Sequence, residues 1–143
     1  MKYSDNTFTI LDHTADIGLK AYGSSLTSLF EETASAFVSL LLAEYPKTEF
    51  QHTTKLEITG EDYVDLMVRL LSEILYLFET KLLITNNIEI KSVTYKKLAT
   101  VLKMTEFNPD KHKIINNIKA VTYHNAIVNK TDDGWYSIIY FDI

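Results

Sequence analysis

The chain has 143 residues, 46% hydrophobic and 23% charged, with nineteen acids, fourteen bases and a net charge of −5. That length fits one domain with a sizeable core, spanning residues 1–143, and the composition excludes disorder as the dominant state. The acidic balance argues against strong direct nucleic-acid binding, which needs clustered positive charge. The absence of cysteine removes disulfides, a thiolate nucleophile and Cys-ligated zinc.

Residues 7–11 and 17–22 read as short strands, because Phe8, Ile10, Ile17, Leu19 and Ala21 alternate with polar neighbours. Gly23-Ser24-Ser25 ends the second strand, and Ser25 is the N-cap candidate for a helix over 26–44. Leu26, Leu29, Phe30, Thr33, Phe37, Leu40 and Leu41 give that helix its stripe, and Tyr45-Pro46 stops it. Lys55 to Thr59 reads as a strand. A second helix is predicted over 61–79, with Glu61 and Asp62 in its first turn, where the helix dipole favours acids.

From Leu82 the period changes to that of strands. Ile88, Ile90, Val93 and Tyr95 lead through Ala99, Val101 and Leu102 to a turn at Asn108-Pro109-Asp110. Residues 118–124 read as a strand, Thr131-Asp132-Asp133-Gly134 as a hairpin turn, and 135–143 as the final strand. Within that strand Tyr136, Ile138, Tyr140 and Asp142 share one face, and Ser137, Ile139, Phe141 and Ile143 the other. The expected fold class is α+β: one compact domain with two amphipathic helices on a mixed or antiparallel sheet. The longest apolar stretch, Phe37 to Ala43, is far short of the roughly 20 residues of a membrane span, and the N-terminus lacks signal-peptide order. A cytoplasmic location is expected.

Two places draw chemical interest. Leu11-Asp12-His13-Thr14-Ala15-Asp16-Ile17-Gly18 crowds three ionisable side chains into a loop or strand end, which suits either a ligand-binding turn or an ordinary turn with side-chain hydrogen bonds. At the other end of the chain, Asp142 stands beside the terminal carboxylate of Ile143. Adjacent carboxylates repel unless a cation or proton neutralises one, and hard divalent cations take oxygen ligands of this kind. Packed together, the two places would make an oxygen-rich site for Ca2+, Mg2+ or Mn2+; taken alone, Asp142 reads as a solvated strand end. Lys119 and His124 flank a strand and read as its polar ends, pointing to opposite faces. Glu73 reads as the edge of an apolar helical face, and His52 and His112 as loop residues. Nucleotide-cradling glycine loops, a nucleophile elbow and zinc spacings are all missing from the sequence.

Taken together, three segments resemble the archease family: Asp12-His13-Thr14-Ala15-Asp16-Ile17-Gly18 before an amphipathic helix, Lys119-Ala120-Val121-Thr122-Tyr123-His124, and the closing Phe141-Asp142-Ile143. The resemblance covers residues 8–143, and Leu70-Leu71-Ser72-Glu73-Ile74-Leu75 fits it as well. It implies a protein cofactor rather than an enzyme. The partner implied is an RtcB-type RNA ligase, whose GTP- and Mn2+-dependent guanylylation on a histidine archeases promote in tRNA splicing and RNA repair. It also implies a metal site at Asp16, Asp142 and Ile143. Asp12 and His13 would orient that site, and Lys119 and His124 would lie near it or near the partner. A chaperone-like binding module with a structural ion, and a stand-alone metal-dependent phosphoesterase, are the competing readings. Residues 85–117 carry no recognised motif.

Overall fold

A computed structural model describes residues 7–12, 16–43 and 50–143. Among these residues the order is β1 (Phe8–Asp12), β2 (Asp16–Gly23), α1 (Leu26–Leu41), β3 (His52–Thr59), α2 (Tyr63–Lys81), β4 (Leu83–Val93), β5 (Lys97–Glu106), β6 (Ala120–Val121), β7 (Ile127–Lys130) and β8 (Trp135–Asp142). They form two sheets. One runs β1-β2-β8-β6, with β7 also on β8, and the other runs β3-β5-β4. Every pairing is antiparallel, which resolves the expected mixed or antiparallel sheet in favour of the latter within an α+β domain.

Helix α1 lies between the two sheets, packing on β2 and β8 of one and on β4 of the other. That position explains why Leu29, Phe30, Ala34, Ala36, Phe37, Val38, Leu40 and Leu41 are all buried; a helix wrapped on both sides needs more than one apolar stripe. Ser25 caps it as predicted, with its side chain accepting the Ser28 N–H. The helix ends at Leu41, before the predicted residue 44. Leu42 is drawn out instead to bridge Ile114, and Ile115 N–H donates to the Leu41 carbonyl. The proposed stop at Tyr45-Pro46 lies outside the described residues.

Helix α2 starts two residues later than predicted. Asp62 is its N-cap, with φ −163°, and Glu61 precedes the helix. Its far end is closed by Leu82 in the left-handed region, φ 55°, a conformation that costs a bulky residue about 1–2 kcal/mol.

The core of the larger sheet is set by alternation. Ile17, Leu19 and Ala21 of β2 lie opposite Phe141, Ile139 and Ser137 of β8, and all six are buried against α1. Phe37 packs on Phe141 with ring centroids 4.9 Å apart. Thr33 and Ser137 bury a shared hydroxyl pair at 2.9 Å, and Thr33 also donates to the Leu29 carbonyl at 2.7 Å. On the opposite face the Tyr140 ring lies over Gly18, where an added Cβ would come within 2.6 Å of it. The β7–β8 hairpin turns as predicted, at Gly134 with φ 155°.

The strand predicted over 118–124 is present only as Ala120–Val121. Val121 pairs with Phe141 and Ile127 with Ile138, so six steps along this edge answer to three along β8. The surplus residues form a bulge that turns at His124-Asn125, with Asn125 at φ 50° and Ala126 N–H donating to the Tyr123 carbonyl. Asparagine tolerates that left-handed position better than most residues.

Replacing Phe37 with alanine is expected to cost about 3–5 kcal/mol, through lost burial and an unfilled void beside Phe141. Urea unfolding followed by circular dichroism measures it.

Candidate functional site

The register of β2 on β8 places Asp16 directly opposite Asp142, and Asp142 in turn opposite Ala120 of β6. These side chains share the face opposite to Phe141, because side-chain direction alternates along β8. Lys119 is tied to the same end, its N–H donating to the Asp142 carbonyl at 2.8 Å, while its side chain is exposed. Asp142 and Ile143 are exposed, and Asp16 is half-buried. One carboxylate oxygen of Asp16, Oδ1, is buried and has no hydrogen-bond partner among the described residues. A buried acceptor left unpaired is costly, and two carboxylates facing each other across a ladder add repulsion. The chemistry of this donor set fits a hard cation.

Asp12 is the last residue of β1, paired with Ile17, so its backbone lies at the same sheet end. His13 lies outside the described residues. No cluster of three His, Cys, Asp or Glu side chains able to hold a metal occurs among the described residues; the tip supplies two, Asp16 and Asp142. His124 is not brought to this end. It sits exposed in the bulge, its N–H on Thr122 Oγ1 at 3.3 Å, four residues along from Ala120. Lys119 and His124 therefore do not lie on opposite faces of one strand as expected, since the strand stops at Val121.

Sequence reasoning passed over a second polar cluster. Asp65, buried in the first turn of α2, has one oxygen accepting the Glu61 N–H at 2.9 Å. The other accepts Arg69 Nε at 3.0 Å and the Tyr123 hydroxyl at 2.6 Å. The hydroxyl of Tyr123 holds the Asp65 carboxyl below its ordinary value of 3.8, against the opposing effect of burial; the Glu61 N–H and Arg69 add to the lowering. The same hydrogen bond raises the Tyr123 phenol above 10.0. The bulge thus has a structural consequence: it carries Tyr123 out of the sheet edge and pins that edge to α2. The spacing of Asp65 and Arg69, four apart on a helix, was the available signal. Nothing local marks Tyr123 as their partner. His112, read as a plain loop residue, is buried, and its Nδ1 accepts the Asn108 N–H at 2.8 Å. Glu73 is half-buried, at the edge of α2's apolar face as expected. His52 bonds Glu106 at 2.9 Å on the surface.

Fold and site together define a small two-sheet α+β domain whose polar tip is built from both ends of the chain. The model of the archease protein family matches residues 8–143. The archease of Sulfolobus acidocaldarius is 35% identical over 133 residues, covering 90% of this chain and 92% of its own. That of Methanosarcina acetivorans is 31% identical over 140 residues, covering 95% of each. A solution structure of a Methanobacterium thermoautotrophicum protein superposes with a TM-score of 0.76 at 28% identity, over 96% of this chain and 99% of that one. The crystal structure of an archease from Thermotoga maritima, described as a possible chaperone, shares the fold, with a TM-score of 0.57 at 22% identity over 93% of this chain and 94% of that one. The chain belongs to the archease family. Among the described residues no helix is long and apolar enough to cross a membrane.

Tyr123→Phe removes the hydroxyl from Asp65 and is expected to destabilise the fold by about 1 kcal/mol near neutral pH, allowing for solvent at this exposed ring. Asp65 binds its proton less readily folded than unfolded. Its ionised form therefore stabilises the protein above pH 3.8 and loses that contribution as pH falls through the lowered value. The variant should show a shallower loss of stability with acid below that pH, measured by urea midpoints across an acid series.

Proposed function

We propose that this protein activates an RtcB-type RNA ligase in trans, promoting its GTP-dependent guanylylation, with the Asp16–Asp142 tip as the working part. The observation that carries the reading is the pairing of Asp16 against Asp142 at an exposed sheet end, with a buried Asp16 oxygen left without a partner. It sits on the residues by which the chain resembles archeases. Asp16, Asp142 and an oxygen of Ile143 would hold a divalent cation (Ca2+, Mg2+ or Mn2+), with Asp12, His13 and Lys119 around them. Bound there, the cation supplies positive charge to phosphate oxygens.

The chain's own residues do the rest. The ladder between β2 and β8 holds the two residues directly opposite each other, and the Asp65–Tyr123 hydrogen bond braces the β6–β7 edge. A rigid acidic tip of this kind suits entry into a partner's nucleotide pocket. Guanylyl transfer depends mostly on positioning and charge stabilisation, so a tip that orders metal and phosphates in that pocket is enough to speed it. A plain binding module with a structural ion differs in one outcome: the ion would alter stability without altering ligase kinetics.

Asp16→Asn and Asp142→Asn should each reduce stimulation of ligase guanylylation at least about tenfold, the scale on which metal-site shells act. The assay mixes ligase, GTP and Mn2+ with each variant and follows label on the ligase. Full stimulation by both variants would sink the reading. Without metal, each variant should be as stable as the original chain or slightly more so, because a like-charge pair has been removed. Added Mn2+ should raise the melting temperature of the original chain and not of the variants.

A further inference from the structure

The edges of the two sheets differ in how they are protected. Strand β4 is broken by two register shifts, and the Glu31 carboxylate of α1 accepts the Ile90 N–H at 2.9 Å. The β6–β7 edge is interrupted by its bulge, and β1 is only five residues long. These are the usual means by which sheets avoid edge-to-edge pairing. Strand β3 has no bulge, no covering side chain and full length; the only such device it carries among the described residues is charge, Lys55 and Glu57. It is eight residues long, contains no glycine or proline, pairs with β5 without a break, and has no other strand beside it among the described residues.

The direction of its main chain follows from one hydrogen bond. Gly60 N–H donates to the Lys96 carbonyl at 3.0 Å, in register with the β3–β5 ladder. Main-chain direction alternates along a strand, so Thr53, Lys55, Glu57 and Thr59 turn their N–H and C=O groups away from β5. Beside this edge a cavity of about 600 Å³, lined by Ile58, Thr59, Arg69, Glu73, Tyr76 and Tyr123, among others, separates β3 from α2.

We propose that a second copy of this chain pairs on this edge, β3 against β3, antiparallel about a two-fold axis at Leu56. Charge complementarity selects both the occupant and the register. With the axis at Leu56, Lys55 of each copy faces Glu57 of the other, Thr53 faces Thr59, and these are the positions whose main-chain groups turn outward. Moving the axis to Lys55 or to Glu57, the nearest registers that keep main-chain parity, lays like charges on each other. On the opposite face Leu56 meets its own mate and Thr54 meets Ile58; Leu56 and Ile58 are already partly buried against the core. The two three-stranded sheets thereby become one sheet of six. Glu57 also pairs with Lys97 of its own chain at 3.5 Å, so it would stand between two ammonium groups. The Asp16–Asp142 tip belongs to the other sheet, and self-association is read without any ligase, so this pairing and the ligase reading stand or fall separately.

The test is sedimentation velocity of the full chain from micromolar to near-millimolar concentration. The original chain is expected to dimerise. Lys55→Glu and Glu57→Lys should each weaken the dimer about tenfold or more, since two symmetric pairs change from attraction to repulsion. The double exchange Lys55→Glu with Glu57→Lys should restore it. Both side chains are exposed, so circular dichroism should show the same fold in all three. At concentrations where the original chain is monomeric, melting temperatures should differ only by the small effect of the exposed Glu57–Lys97 pair. A monomer at every concentration overturns the proposal. So does a dimer indifferent to the single reversals, or one that the double exchange fails to rescue.

Discussion

The register between β2 and β8 is the constraint on which the rest depends. Ile17, Leu19 and Ala21 must face α1 together with Phe141, Ile139 and Ser137, and a strand slipped by one residue would turn all of them to the other side. The Phe37–Phe141 contact and the buried Thr33–Ser137 pair fix that register from the helix side. Apolar burial alone would accept several nearby arrangements. The hydroxyl pair is more exacting, because either oxygen left alone in the core is costly. Once the register is set, Asp16 and Asp142 have no choice but to face each other.

The tip is therefore a by-product of the core in geometric terms and its opposite in energetic terms. One face of the same ladder gains by burial, and the other carries a like-charge pair with a buried orphan oxygen. Such local conflict is tolerated only where the surrounding structure outweighs it, and it is characteristic of functional sites. Here the stabilising side is α1, held between two sheets and buried along most of its length. The β6–β7 edge is tied down by Tyr123, which leaves the ladder through a bulge and reaches Asp65 on α2. Bulges next to functional sites commonly re-aim a side chain in this way.

What the sequence determined by itself was whatever depends on neighbours in the chain. Strand alternation in β2 and β8, the Ser25 cap, the Asn108 and Gly134 turns and both helices follow from period and local hydrogen bonding. The acids worth attention were also legible, because Asp12, Asp16 and Asp142 stand in segments of unusual character. Tertiary structure decided what depends on residues far apart in sequence. That Asp16 meets Asp142 depends on a register set by burial against α1. That α1 stops at Leu41 depends on Ile114 and Ile115. That residues 123–126 leave β8 while Thr122 still donates to the Tyr140 carbonyl, and that Tyr123 rather than His124 or the Lys119 side chain reaches α2, depends on Asp65 lying within reach. Local propensity is written in a few adjacent side chains; pairing between the two ends of a chain is settled only by which arrangement buries the core with its polar groups satisfied.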